Sequence, residues 1–126
     1  MIVVDSAVVR RLLVHIVSSD PRLTVVAAVE TAEEALAQVG RLRPDVISMD
    51  IRLPGMDGLE AIGRIMTDHP TPIVVIADAI QDASLRISLN ALREGALAVV
   101  EKPVAPTHAG YDAVADTICT QLRIMA

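Results

Sequence analysis

Five short apolar runs, each followed by an amphipathic segment, constrain the fold of this chain more than any other feature. The runs are rich in valine and isoleucine and do not alternate with polar residues, which is typical of strands buried on both faces of a parallel sheet. Strands that alternate with helices imply right-handed crossovers. We therefore predict an α/β fold, a flavodoxin-like (βα)5 three-layer sandwich with the parallel sheet order 2-1-3-4-5. The predicted strands are 2–4, 23–29, 46–49, 72–77 and 97–101.

Helix-start signals support the same alternation. Thr31 precedes Glu34 by three positions, and Asp57 precedes Glu60 by the same spacing. This is the arrangement of a capping box, in which the first residue caps the helix and the glutamate lies in its first turn. Apolar residues at helical spacing follow each pair, so each pair is predicted to begin a helix.

The other helices are predicted from their apolar stripes. The first turns valine, leucine and isoleucine inward and leaves Arg10 and Arg11 on its outer side. A fourth helix is predicted around 85–92, ending at Gly95. The remaining segments are a loop over about 104–110 and a last helix over about 111–126, which complete a single domain over 1–126.

Charge and composition exclude several classes of protein. The net charge of −5 lacks the basic footprint of nucleic-acid-binding proteins, so we expect no nucleic acid partner. No run of 18 or more apolar residues occurs, which predicts no membrane insertion. The single cysteine, Cys119, cannot form an internal disulfide and suits a reducing compartment. We expect a cytoplasmic protein.

Charged residues stand at the ends of three predicted strands. The first strand ends at Asp5, the third at Asp50, and Lys102 follows the fifth. Because the first and third strands are neighbours, the two carboxylates should lie side by side, where they repel unless a cation shares their charge. Oxygen ligands suit Mg²⁺, and a lysine ammonium suits an oxyanion. These groups together predict phosphoryl transfer onto a carboxylate.

Simpler roles are open for most of these residues. Asp5 could cap the first helix, and Lys102 by itself could be a solvated lysine. Asp57 is assigned to capping rather than to chemistry. Asp50 is harder to explain as a cap, because no helix is predicted to start for seven residues after it. The joint pattern favours a site.

Three segments resemble the receiver domain of two-component response regulators, and the resemblance covers essentially the whole chain. They are VVDSAVVRRLL, PDVISMDIRLPGMDGLEAI and GALAVVEKP. Within that family the chain looks most like the receiver of the chemotaxis protein-glutamate methylesterase, in which a linker and an esterase domain would follow. DTICTQLRIMA looks like the start of such a linker, and this chain has no G-x-S-x-G motif.

The resemblance implies a regulatory domain rather than an enzyme in its own right. Asp50 matches the phospho-acceptor, which takes a phosphoryl group from a sensor histidine kinase. Asp5 matches an acid that holds Mg²⁺, and Arg52 matches the residue whose main-chain carbonyl completes the metal shell. Lys102 matches the lysine that pairs with the phosphoryl group. The implied partners are the kinase and a tethered or separate effector domain.

Three positions depart from the family pattern. Val4 replaces the first of two consecutive acids, Ala77 replaces a serine or threonine that bonds the phosphoryl group, and Val99 replaces a switch aromatic. Loss of one charge-assisted hydrogen bond forfeits about 1.5–3 kcal/mol, which is comparable with an allosteric coupling of about 1–3 kcal/mol. We therefore expect phosphorylation to couple weakly to the usual signalling surface.

Other interpretations stay open. The first alternative is a degenerate receiver that acts as a constitutive interaction or dimerisation module without phosphorylation. A homodimer would use the face of the fourth strand, the fourth predicted helix and the fifth strand. An aspartate-nucleophile phosphohydrolase is disfavoured, because Asp50 is followed by Ile51 and Arg52 and not by a second acid two positions on. A nucleotide-binding flavodoxin-like protein is disfavoured because no glycine-rich loop follows the first strand.

Overall fold

The structure is a computed structural model of the 126-residue chain, and it describes residues 1–50, 53, 58–77, 98–101 and 110–126. Over residues 2–77 strands and helices alternate as the apolar runs predict. The strands are β1 (Ile2–Val3), β2 (Ala28–Val29), β3 (Ile47–Asp50), β4 (Ile73–Ala77) and β5 (Ala98–Glu101). The helices are α1 (Ala7–Ser18), α2 (Ala32–Leu42), α3 (Gly58–Asp68) and α4 (Tyr111–Met125).

All five strands form one parallel sheet in the order β2-β1-β3-β4-β5. The predicted fold class and strand order are confirmed. The central strand β3 pairs with β1 and β4, so that Met49 lies opposite Val3 on one side and Val75 on the other. The carboxyl ends of β1, β3, β4 and β5 therefore meet at one edge of the sheet.

Helices cover both faces of the sheet and divide the core in two. The α2/α3-side core packs those two helices against Val3, Met49 and Val75. The α1/α4-side core packs the other two helices against the alternate strand positions, including Ile2 and Ile76. Because successive residues of a strand point to opposite faces, burial on both faces explains why the runs are apolar without alternation.

The second strand is shorter than the sequence predicts. Residues 23–29 were expected to form it, whereas β2 is only Ala28–Val29. The register explains the difference, because Ile2 lies opposite Ala28 and residues 23–26 consequently have no β1 residue opposite them. Val26 is half exposed. Apolar residues do not form a strand where no neighbouring strand is present to pair with their main-chain hydrogen-bonding groups. The other strands agree with the sequence to within one residue at each end.

The predicted cap of α2 is confirmed. Thr31 is its N-cap, and the Thr31 Oγ1 accepts a hydrogen bond from the Glu34 amide at 3.1 Å. The helix ends before Arg43, which adopts a left-handed conformation with φ 47°. The proposed cap Asp57 lies outside the described residues, immediately before α3. The predicted helix around 85–92 and its terminal Gly95 also lie outside them.

The last helix is tied to the first by an ion pair. The Asp20 carboxylate, just after α1, lies 3.3 Å from the Arg123 Nε of α4 and 3.2 Å from the Arg22 Nε. The Arg22 amide also donates to the Asp20 Oδ1 at 3.0 Å. This hydrogen bond is the largest cause that lowers the pKa of Asp20, and the two guanidinium groups lower it further. The contact joins the two helices that cover the Asp50 side of the sheet.

No helix in the part of the chain that the structure describes is both long enough and apolar enough to cross a membrane.

The buried amino terminus generates a prediction about pH. The Met1 amine donates to the Val46 carbonyl at 3.0 Å, and burial lowers its pKa from 8.0 to about 6, against the opposing effect of Asp45. Between these two values the unfolded chain holds more protons than the folded chain, so stability rises with pH. We expect the free energy of unfolding to rise between pH 6 and pH 8 by at most about 2–3 kcal/mol.

Urea denaturation at a series of pH values measures this rise. A chain acetylated at Met1 is the matched control, because it has no amine to titrate. The acetylated chain should lack the rise, and the same rise in both chains would contradict the assignment.

Candidate functional site

Asp50 ends the central strand at the edge where ligands bind in open α/β sheets. It is 1% exposed and lies opposite Ile76 of β4. Continuing the β1–β3 register by one residue places Val4 opposite Asp50 on the other side. Val4 and Ile76 are both fully buried, and strand alternation directs all three side chains to the face covered by α1 and α4. The Asp50 carboxyl group therefore lies between two aliphatic side chains.

Asp5 follows β1 at the same edge. Its side chain is exposed, whereas that of Val4 belongs to the α1/α4-side core. The structure thus brings Asp5 and Asp50 to the ends of two neighbouring strands, as the strand order predicts. The alternative in which Asp5 caps α1 is wrong. Ser6 is the N-cap, because it is the extended residue directly before the helix, and its Oγ accepts the Val9 amide at 3.3 Å.

Arg10 differs from its predicted position on the outer side of α1. Its guanidinium turns back to the tip of β1, where Nη1 donates to the Val4 carbonyl at 2.9 Å and to the Asp5 carbonyl at 3.3 Å. The same nitrogen lies 4.0 Å from the Glu30 carboxylate, which follows β2. Helix periodicity gave no sign of this contact. The signal that could have revealed it is that helical side chains tilt toward the helix amino terminus, here toward β1.

The other predicted site residues lie at or beyond the limits of the described strands. Arg52 and Lys102 are outside the described residues, although β5 ends at Glu101, one residue before the lysine. Ala77 is the last residue of β4 and lies opposite Glu101. Val99 lies opposite Val75, is half-buried, and packs against the α2/α3-side core.

The donor chemistry at this edge fits a hard cation. Asp5 and Asp50 offer carboxylate oxygens, the ligands that Mg²⁺ prefers, and one of the two acids is exposed enough to leave positions for water. Within the described ranges, no group of three or more histidine, cysteine, aspartate or glutamate side chains could hold a metal ion. The described part of the chain therefore supplies a two-carboxylate edge rather than a closed metal cage.

Comparison with known families places the chain in one of them. The model of the response regulator receiver domain matches residues 1–109. The chain belongs to this family, the class of protein that the sheet order and the acidic edge define. The fold agrees, because the response regulator domain of Thermotoga maritima CheB superposes with a TM-score of 0.86 at 32% identity, covering 98% of this chain and 92% of that one.

Curated relatives give a narrower likeness. The chain is 59% identical over 126 residues to protein-glutamate methylesterase/protein-glutamine glutaminase 2 of Paramagnetospirillum magneticum, covering all of this chain and 36% of the relative. It is 47% identical over 122 residues to the corresponding protein 4 of Myxococcus xanthus, covering 97% of this chain and 34% of the relative. The chain thus spans about a third of the length of these relatives.

The position of Val4 generates a prediction about metal binding. Val4→Asp places a second carboxylate opposite Asp50 inside an aliphatic core, so without metal it should lower the free energy of unfolding by about 2–4 kcal/mol. Mg²⁺ should restore part of this loss, because a cation between two carboxylates removes their repulsion. Thermal unfolding in EDTA and at increasing Mg²⁺ concentration measures both effects.

Val4→Thr is the matched control, since it buries a hydroxyl of similar size without a charge. It should be destabilised without any larger response to Mg²⁺ than the parent. If Mg²⁺ raises the melting temperature of the Val4→Asp chain no more than that of the parent, Val4 does not occupy a metal-facing position.

Proposed function

We propose that the chain is a phospho-accepting receiver domain in which Asp50 takes a phosphoryl group from the phosphohistidine of a sensor histidine kinase. The observation that carries the proposal is the burial of Asp50 at the end of the central strand, beside the strand that ends at Asp5. A core position of this kind is costly for a carboxylate without a compensating role. Membership of the receiver family supports phospho-acceptance as that role.

The residues at the strand ends supply the groups needed for phosphoryl transfer to Asp50. A carboxylate oxygen of Asp50 attacks the phosphorus atom, the bond from phosphorus to the histidine nitrogen breaks, and an acyl phosphate forms on Asp50. When bound, Mg²⁺ would be held by Asp5, Asp50 and the main-chain carbonyl of Arg52, and it would neutralise charge on the phosphoryl oxygens. Lys102, directly after β5, is proposed to pair with the same oxygens.

We infer that phosphorylation couples weakly to the rest of the domain. Ala77 at the end of β4 carries no hydroxyl that could bond a phosphoryl oxygen, and Val99 in β5 has no aromatic ring to change rotamer. A bound group shifts a conformational equilibrium only through contacts that differ between the two states. The acceptor and its charged neighbours are retained, whereas the two residues that would report the phosphoryl group are replaced.

The regulated partner is proposed from the relatives. Those proteins are named as methylesterases and glutaminases, and this chain corresponds to about a third of their length. We propose that the domain over 1–126, with its last helix leading into a linker, regulates a tethered chemotaxis methylesterase in the cytoplasm. We further propose a homodimer that forms through the face of β4, the helix predicted around 85–92, and β5.

A degenerate receiver is the second candidate. The observation that favours it is the environment of Asp50, where an aliphatic residue, Val4, takes the place of an acid and belongs to the core. In that case the domain would act as a constitutive interaction module. The two candidates differ in whether Asp50 can be phosphorylated at all.

Intact-mass spectrometry after incubation with acetyl phosphate and Mg²⁺ separates them. The parent chain should gain about 80 Da, the mass of one phosphoryl group, and Asp50→Asn should not. Asp45→Asn is the matched control, because this exposed acid lies at the opposite end of β3 and should leave the adduct intact. A parent chain without the adduct would support the degenerate receiver.

Ala77→Thr tests the weak coupling. Restoring a hydroxyl at the end of β4 should add one charge-assisted hydrogen bond to the phosphoryl group, worth about 1.5–3 kcal/mol. Phosphorylation should then produce larger amide chemical-shift changes in β4 and β5 than it does in the parent. Ala77→Val is the control of similar size without a hydroxyl. Large shifts already present in the phosphorylated parent would show that coupling is intact.

A further inference from the structure

The contacts of Arg10 point to a function for a residue outside the acidic edge. We propose that Arg10 is a positioning residue that fixes the turn between β1 and α1 and so directs Asp5 toward the metal-binding edge. The inference rests on the proposed function, because it concerns how the chain would hold Mg²⁺ beside Asp50.

The geometry is that of a clamp across the turn. One nitrogen of the guanidinium, Nη1, donates to two successive carbonyls, those of Val4 at 2.9 Å and Asp5 at 3.3 Å. The Ser6 hydroxyl holds the other end of the turn by capping α1. Because these contacts hold the main chain of residues 4–6, they set the direction in which the Asp5 side chain leaves the main chain.

The helix itself does not favour this place for a cation. Arg10 lies near the amino end of α1, where the helix dipole is positive, and the first turn contains no acidic residue. The arginine is nevertheless only 22% exposed. The carbonyls of the turn and the nearby Glu30 carboxylate offset that repulsion. The contact is therefore maintained by its partners at the tip of β1 and not by helix preference.

The clamp matters more in this chain than in one with two consecutive acids. Val4 is fully buried in the α1/α4-side core, so Asp5 is the only acid that the end of β1 contributes. Asp5 is exposed and lies outside the buried core, so core packing does not orient its side chain. The orientation of this acid therefore depends on the main chain that Arg10 holds.

Charge and geometry can be separated because Arg10 has an acidic neighbour. Its Nη1 lies 4.0 Å from Glu30 Oε2, and the pair together carries no net charge. Replacing both residues by neutral ones removes the hydrogen bonds while leaving the net charge at this edge unchanged. Any loss of metal affinity in such a variant therefore reports the geometry and not the field of the cation.

The experiment compares two double variants of the full chain. Arg10→Met with Glu30→Gln removes the clamp. Arg11→Met with Glu33→Gln makes the same chemical changes at exposed neighbouring positions that have no bond to the turn. Mg²⁺ is titrated into each ¹⁵N-labelled chain, and the dissociation constant is read from the amide shifts of residues 4–6 and 50. The free energy of unfolding in EDTA is measured separately.

We expect the clamp variant to bind Mg²⁺ about three- to tenfold more weakly than the parent, and the control to bind as the parent does. Arg10→Lys retains the charge but offers a single ammonium head in place of the guanidinium, and it should give an intermediate value. If the double variant does not fold, the Mg²⁺ affinity of Arg10→Lys tests the proposal instead, because an affinity equal to that of the parent would contradict it.

The outcomes distinguish the two proposals. If the clamp variant loses stability in EDTA but binds Mg²⁺ as tightly as the control, Arg10 is structural and the inference is overturned. If the parent itself shows no Mg²⁺-dependent shifts at Asp5 and Asp50, the metal site of the proposed function is wrong, and there is nothing for Arg10 to position.

Discussion

Asp50 is buried at the carboxyl end of β3, between two strands whose facing side chains, Val4 and Ile76, are aliphatic and fully buried. Transfer of a carboxylate into such surroundings is costly, so the neighbouring groups at the edge must compensate for it. The parallel register determines which groups are near enough, because it aligns the ends of β1, β3, β4 and β5. The whole candidate site is a consequence of where these strands stop.

The helices around this edge contribute as much as the strands. α1 begins with a serine cap and turns the Arg10 guanidinium back onto the tip of β1. At its other end α1 is joined to α4 through Asp20 and Arg123, at 3.3 Å. The helices that cover the Asp50 face of the sheet are thus joined to the tip of β1 at one end of α1 and to each other at its opposite end.

Much of the fold could be predicted from the sequence because its signals are local or periodic. Continuous apolar runs indicated strands buried on both faces, and the capping pair of Thr31 and Glu34 indicated the start of α2. The pairing of strands that are distant in the sequence was harder to predict. The predicted second strand over 23–29 is mostly not a strand, since its register with β1 leaves residues 23–26 without a partner. Composition cannot report which residues lie opposite a segment.

The amino-acid sequence by itself determined the alternation of strands and helices, the strand order, and the placing of Asp5 and Asp50 at strand ends, because these follow from hydrophobic periodicity and from the rules of parallel crossovers. Only the tertiary structure decided that Val4 belongs to the core while Asp5 does not, that Ser6 and not Asp5 caps α1, and that Arg10 reaches the tip of β1. The reason is that side-chain direction at a strand end depends on the neighbouring strands and helices, whose positions local sequence patterns do not encode.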